Sequence, residues 1–184
     1  MESRTSTTKK LDELYDLIDD MEIALMTTRR PDGALVTRPM ATQESGTLAD
    51  IWFVTSNETH KVDELRADPN VSLGYFDDGS KEWVSVSGTA SLVQDREKIR
   101  ELYQPDWKAY FEDEGGERDG GPGDPRLALI CVDVHSVHYM KAKFSKPRTL
   151  FEIARGMVTG KAAELGREER LTEPQLEGRQ RGKH

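Results

Sequence analysis

The densest group of chemistry-bearing side chains lies where an apolar run breaks off. Residues 51–55 read Ile-Trp-Phe-Val-Thr, and Ser56, Asn57, Glu58, Thr59, His60 and Lys61 follow at once. The spacing predicts a buried strand over 51–55 and a helix over 59–67 with Val62 and Leu65 inward. A helix start is the positive end of the peptide dipole and favours acids, so His60 and Lys61 oppose it unless an anion sits nearby. Two readings fit. In one, Ser56 or Thr59 caps the helix and Lys61 is a solvated cation. In the other, backbone N–H groups, hydroxyls and a cation converge on a phosphate. Arg38, within Thr37-Arg38-Pro39-Met40, poses the same choice: a mid-strand arginine followed by a proline that forfeits a ladder bond. It is either an exposed edge-strand residue or a second phosphate cation, whose planar fork suits two oxygens at once.

Other chemistry-bearing residues point elsewhere. His135 and His138 stand three apart in a strand and face opposite sides, so no metal site is expected. Cys131, inside Leu127-Ala128-Leu129-Ile130-Cys131-Val132, reads as a small buried hydrophobe. Gly115, Gly116, Gly120, Gly121 and Gly123 follow no strand and open no apolar helix. They match neither the dinucleotide fingerprint nor a phosphate loop and read as flexible linker. Trp83 reads as core, whereas Trp107, in a polar helical piece, is a candidate for stacking on a planar ligand.

These residues need elements to position them. Leu11, Leu14, Tyr15, Leu17, Ile18 and Met21 recur at helical spacing over 9–21. Strands are expected at 23–28, 34–41, 51–55, 71–76, 82–93 and 127–139, the first two joined by the turn Pro31-Asp32-Gly33. Gly88 inside the fifth strand signals a bulge or a close backbone approach. Helices do not alternate with these strands. The expectation is therefore a mainly β fold, a six-stranded antiparallel barrel with peripheral α-helices, rather than a doubly wound sheet. Residues 1–8 are expected to be a disordered N-terminus, 9–147 the barrel domain, 148–165 a C-terminal helical extension and 166–184 a disordered tail.

Composition narrows the function classes. The chain has 184 residues and a net charge of −8, which disfavours nucleic-acid and anionic-membrane partners. A single cysteine excludes an internal disulfide, and no apolar run approaches a membrane span; a cytoplasmic protein is expected.

The order of motifs, ALVTRPMAT over 34–42, IWFVTSNETHKVDELRADPNVSLGYFD over 51–77 and WVSVSGTASLV over 83–93, resembles the pyridoxamine-phosphate-oxidase-like family of flavin-binding split barrels, and in particular its general stress protein branch. The resemblance implies an FMN-binding split barrel, with FAD or a deazaflavin as alternatives. It implies cofactor contacts at Arg38, Met40, Ala41, Thr42, Val54, Thr55, His60 and Lys61, and an approach to the ring by Trp107. It also implies a homodimer with flavin between the subunits. Electron or hydride transfer between reduced nicotinamide and a small acceptor would follow, with a non-catalytic flavin carrier or a deazaflavin-dependent reductase as alternatives. The true oxidases carry a lysine where Gln43 stands, a glutamine near Trp83, and a terminal strand bearing arginine and histidine. This chain lacks all three, so oxidation of pyridoxamine phosphate is not expected.

Overall fold

The computed structural model describes residues 2–44, 49, 51–142, 155, 166–172 and 174–176, with backbone only for 2–8. The first helix, α1 (Glu2–Met21), leads into strands β1 (Ile23–Arg29), β2 (Leu35–Ala41) and β3 (Ile51–Ser56). Helix α2 (His60–Ala67) precedes β4 (Asn70–Phe76) and β5 (Trp83–Val93). Helix α3 (Arg96–Leu102) and a 3-10 turn (Pro105–Tyr110) lead to β6 (Leu127–Ala142) and β7 (Gly166–Thr172).

The strands form one antiparallel sheet in the order β2-β1-β4-β5-β6-β3, with β7 also on β6. Its two ends meet: Thr42 bridges Phe53, and the Gln43 N–H donates to the Trp52 carbonyl at 3.0 Å. The mainly β fold is thus a barrel closed by a single narrow seam between β2 and β3. Alternation sorts its faces. Ala24 and Met26 of β1, Leu73 and Tyr75 of β4, and Val84 and Val86 of β5 fill the interior with Ile51 and Phe53 of β3. Helix α1 lies over β4 and β5 and adds Leu11, Leu14, Tyr15, Leu17 and Ile18 to the same core.

The continuous apolar runs have a physical reason. Ile51 and Phe53 point inward, whereas Trp52 of the opposite face joins Ile99, Trp107, Leu127 and Leu129 under α3 and the 3-10 turn. Both faces of β3 and of early β6 are covered, so neither shows polar alternation. Asp95 caps α3 through bonds from the Glu97 and Lys98 N–H groups at 2.9 and 3.1 Å. Gly88 marks a bulge: the ladder passes from Ser87↔Ser136 to Gly88↔Val134 and leaves His135 unpaired. A Cβ at Gly88 would lie 2.2 Å from the Asp133 carbonyl oxygen, so the backbone approach excludes any side chain there.

The fold differs from expectation at three places. The backbone of helix α1 extends to Glu2, through the residues 2–8 that were expected to fray. They contain no Gly or Pro, and extending an already packed helix costs little once its nucleus exists. Residues 166–172, expected to belong to the tail, pair with β6 from Ser136 to Ala142, adding a seventh strand to the expected six. β3 covers β6 only as far as Val132, and β7 occupies the same edge beyond it. Ladder bonds need no particular side chain. Leu171 and Leu176 supply the buried contacts, and ion pairs Lys10–Glu169 (2.6 Å) and Arg167–Glu13 (3.0 Å) fasten the strand to α1. The glycine-rich segment is likewise no flexible linker. Its organiser is Arg126, which binds Asp124 at 2.7 Å, Glu114 at 2.8 Å and the carbonyls of Glu112 and Arg118. The expected helix over 148–165 lies outside the described residues apart from Arg155.

Candidate functional site

Alternation carries Thr28 of β1, Arg38 of β2 and Thr55 of β3 to the inward side at one end of the barrel, where α2 closes the mouth. Thr28 and Arg38 are diagonal neighbours in the β1–β2 ladder, because Met26 pairs with Arg38 and Thr28 with Val36. Val62 and Leu65 anchor α2 in the core and so carry Lys61 and Glu64 onto the three strand residues.

Two linked subclusters result. Arg38 Nη1 donates to Thr28 Oγ1 at 2.6 Å and to Glu64 Oε2 at 2.8 Å, and Nη2 donates to Glu64 Oε1 at 3.3 Å. The Thr28 hydroxyl donates to Glu64 Oε2 at 2.5 Å. The Glu64 side chain is only 7% exposed and that of Arg38 is 21% exposed. The Arg38 hydrogen bond, aided by the one from Thr28, holds the Glu64 carboxyl below its usual range despite burial. Lys61 Nζ donates to Thr55 Oγ1 at 2.9 Å and lies 3.5 Å from Thr59 Oγ1. Among the described residues no carboxylate pairs with this ammonium. Burial pushes its pKa down, and the Arg38 charge pushes it further; Glu64 opposes both.

The sequence-derived candidates separate accordingly. Arg38, Lys61 and Thr55 are brought together, close enough for the two cations to repel. His60 is exposed in the first turn of α2, and among the described residues no hydrogen bond or ion pair ties it to the cluster. Thr59 occupies the N-cap position without capping: its hydroxyl donates to the Ser56 carbonyl at 2.8 Å, and among the described residues no side chain accepts from the first-turn N–H groups. Ala41 and Val54 are half-buried, and Thr42 Oγ1 lies 3.0 Å from the Tyr75 hydroxyl. Met40 and Trp107 lie inside the protein. Met40 points into the barrel core, on the face opposite Ala41. Trp107 is wholly enclosed: its ring meets Trp52 and Tyr103 edge-on at 6.0 and 5.5 Å, and its N–H donates to Gln43 Oε1 at 2.8 Å. With no face exposed, the Trp107 ring packs as part of the apolar cluster under α3.

Glu64 was not anticipated. The available signal was a carboxylate three residues beyond Lys61 on the same helix, which α-helical spacing places beside the cation. Its pairing with Arg38 depends on the barrel closing.

The family model for "Pyridoxamine 5'-phosphate oxidase like" matches residues 9–164. The chain belongs to the pyridoxamine 5'-phosphate oxidase-like family. Protein bli-3 of Neurospora crassa is 35% identical over 173 residues, covering 92% of this chain and 82% of that protein. A crystal structure assigned to general stress protein 26 from Jannaschia sp. CCS1 superposes with a TM-score of 0.67 at 25% identity, covering 90% of this chain and 99% of the other. A pyridoxamine 5'-phosphate oxidase-related, FMN-binding protein from Nostoc punctiforme PCC 73102 shares the fold, with a TM-score of 0.55, 14% identity, and 68% of this chain and 78% of the other covered. The split-barrel architecture and the general stress protein likeness therefore hold for this family member. Among its described residues no helix is long and apolar enough to cross a membrane.

Proposed function

We propose that this protein binds FMN through the Arg38–Lys61 cluster and works as a flavin-dependent oxidoreductase. The observation that carries the reading is a half-buried ammonium at Lys61, with no carboxylate paired to it among the described residues, beside a guanidinium with donors to spare. Arg38 keeps its Nε–H and one Nη2 N–H without a partner among the described residues. Lys61, the uncapped first turn of α2 and the hydroxyls of Thr55 and Thr59 complete a donor set for a phosphate monoester. Burying an unpaired cation costs stability, so its presence fits a missing anion. Bound flavin would supply the redox chemistry, and the chain's own residues would hold its phosphate and exclude water. The acceptor is a small molecule, with reduced nicotinamide as donor.

The outer face of β1, β2 and β4 supports a homodimer. Ile23, Leu25, Pro39 and Phe76 share it, with Leu25 50% and Phe76 59% exposed, and Leu25 pairs with both Pro39 and Gly74. Such an apolar patch on a sheet calls for a cover, and a second copy with flavin at the junction provides one. The lone Cys131 fits a reducing compartment, and we assign the protein to the cytoplasm.

The test is to purify the protein, record its visible spectrum and identify the released cofactor by chromatography, then assay turnover with reduced nicotinamide and quinone or nitro acceptors. A yellow protein releasing FMN and consuming nicotinamide is expected. Retention of a deazaflavin in place of FMN would move the function to a deazaflavin reductase, and FMN without turnover would leave a carrier. A colourless protein with no flavin affinity would overturn the reading.

A further inference from the structure

A carboxylate in an anion site needs an explanation. Arg38, Lys61 and Glu64 together carry two positive charges and one negative, a net charge of +1, so Glu64 reduces the attraction for a phosphoryl group. Geometry supplies the explanation. Nη1 uses both of its N–H groups, one on Thr28 Oγ1 and one on Glu64 Oε2, and Nη2 uses one on Glu64 Oε1. The guanidinium is planar, so contacts to its Nη1–Nη2 edge fix its rotation and leave the Nε–Nη2 edge open. Thr28 in turn holds the carboxylate, at 2.5 Å. The three groups come from β1, β2 and α2, so only the assembled barrel mouth builds this clamp.

We propose that Glu64 and Thr28 are positioning residues that grip Arg38 by its far edge, so that the Nε–Nη2 edge meets two phosphoryl oxygens already oriented. This rests on the phosphate-site reading above. A guanidinium that need not be ordered on binding loses less conformational entropy, and the saving appears as affinity for the phosphate alone. The isoalloxazine and ribityl parts of the ligand do not share it.

Two substitutions isolate geometry from charge. Glu64→Asp keeps the carboxylate but withdraws it by one methylene, and Thr28→Val removes the hydroxyl at nearly constant volume. Both leave the net charge of the cluster unchanged. Dissociation constants for FMN and for riboflavin, which lacks the phosphate, are measured by flavin fluorescence quenching on each variant, alongside thermal melts. Glu64→Asp is expected to weaken FMN about tenfold and Thr28→Val about threefold, with riboflavin moved less than about twofold. Unchanged FMN affinity in the folded variants would overturn the positioning role, and so would parallel losses for FMN and riboflavin, which mark a merely structural effect. If Glu64→Asp fails to fold, the nearly isosteric Thr28→Val decides. A wild-type protein with no preference for FMN over riboflavin would overturn the phosphate site itself and this role with it. A wild-type preference that both variants keep removes only the positioning role.

Discussion

Replacing Lys61 by methionine should separate ligand recognition from folding. The Lys61 ammonium makes one good hydrogen bond, to Thr55 Oγ1 at 2.9 Å, and meets no carboxylate among the described residues. Its pKa is pushed down by burial and by Arg38, so in the ligand-free protein the charge is a burden. Methionine keeps the stem, removes that burden and strands no counter-charge. The loss is one hydrogen bond, worth about 1 kcal/mol, set against the removed desolvation cost. The net change in unfolding free energy should therefore stay within about 1 kcal/mol and can favour the variant. Ligand binding should respond very differently. A charge-assisted hydrogen bond to phosphate contributes about 1.5–3 kcal/mol, which corresponds to roughly a tenfold to 150-fold weaker FMN dissociation constant. Urea unfolding of the cofactor-free protein and FMN titration by fluorescence quenching measure the two quantities. Destabilisation beyond about 2 kcal/mol would show that Lys61 is a structural residue. An unchanged ratio of FMN to riboflavin affinity would show that it does not meet a phosphate. Either result would refute the reasoning.

Arg38→Met should behave in the opposite way: it leaves the Glu64 carboxylate, 7% exposed, without its cation and should cost about 3 kcal/mol in urea unfolding, most of it recovered in Arg38→Met/Glu64→Met. FMN affinity should fall as pH rises through the lowered pKa of Lys61, that is, below the ordinary lysine value of 10.5, whereas Lys61→Arg should stay flat through that range; a titration series in pH decides. At the acid end, Asp124 is held at about 2 by Arg126, and the Glu64 carboxyl is also depressed. Stability should be complete above their ordinary values of 3.8 and 4.5 and decline as pH falls below them, which acid unfolding followed by circular dichroism would register. Gly88→Ala should lower the melting temperature sharply or prevent folding, because its Cβ would lie 2.2 Å from a backbone oxygen that cannot retreat without breaking the β5–β6 ladder. Leu25→Glu/Phe76→Glu should turn the proposed dimer into a monomer in analytical ultracentrifugation while the fold persists, since both side chains point outward.

Much of the architecture was legible in the residues, for reasons of range. Helices α1 and α2 and the six strands from β1 to β6 follow from spacing of apolar residues along a few turns or pleats, which neighbours in sequence determine. The bulge at Gly88 was equally local in its signal. The missed strand β7 was not local. A charged segment, Gly-Arg-Glu-Glu-Arg-Leu-Thr, has no strand pattern of its own and takes that form because β6 offers it an unpaired edge and α1 offers it counter-charges. The enclosure of Trp107 was hidden for the same reason: its own stretch is polar, and its apolar partners Trp52 and Leu127 lie far away in the chain.

The sequence by itself determined which groups were available for an anion: an arginine in a strand, and a lysine with hydroxyls at a helix start. Only the closed barrel decided that Arg38, on β2, and Lys61, on α2, share one mouth, and that Glu64 and Thr28 take donors of the guanidinium. A charge states what it could bind wherever it sits in the chain. Which donors remain free depends on which neighbours have already taken the others, and those neighbours are set by packing between elements that sequence spacing does not join.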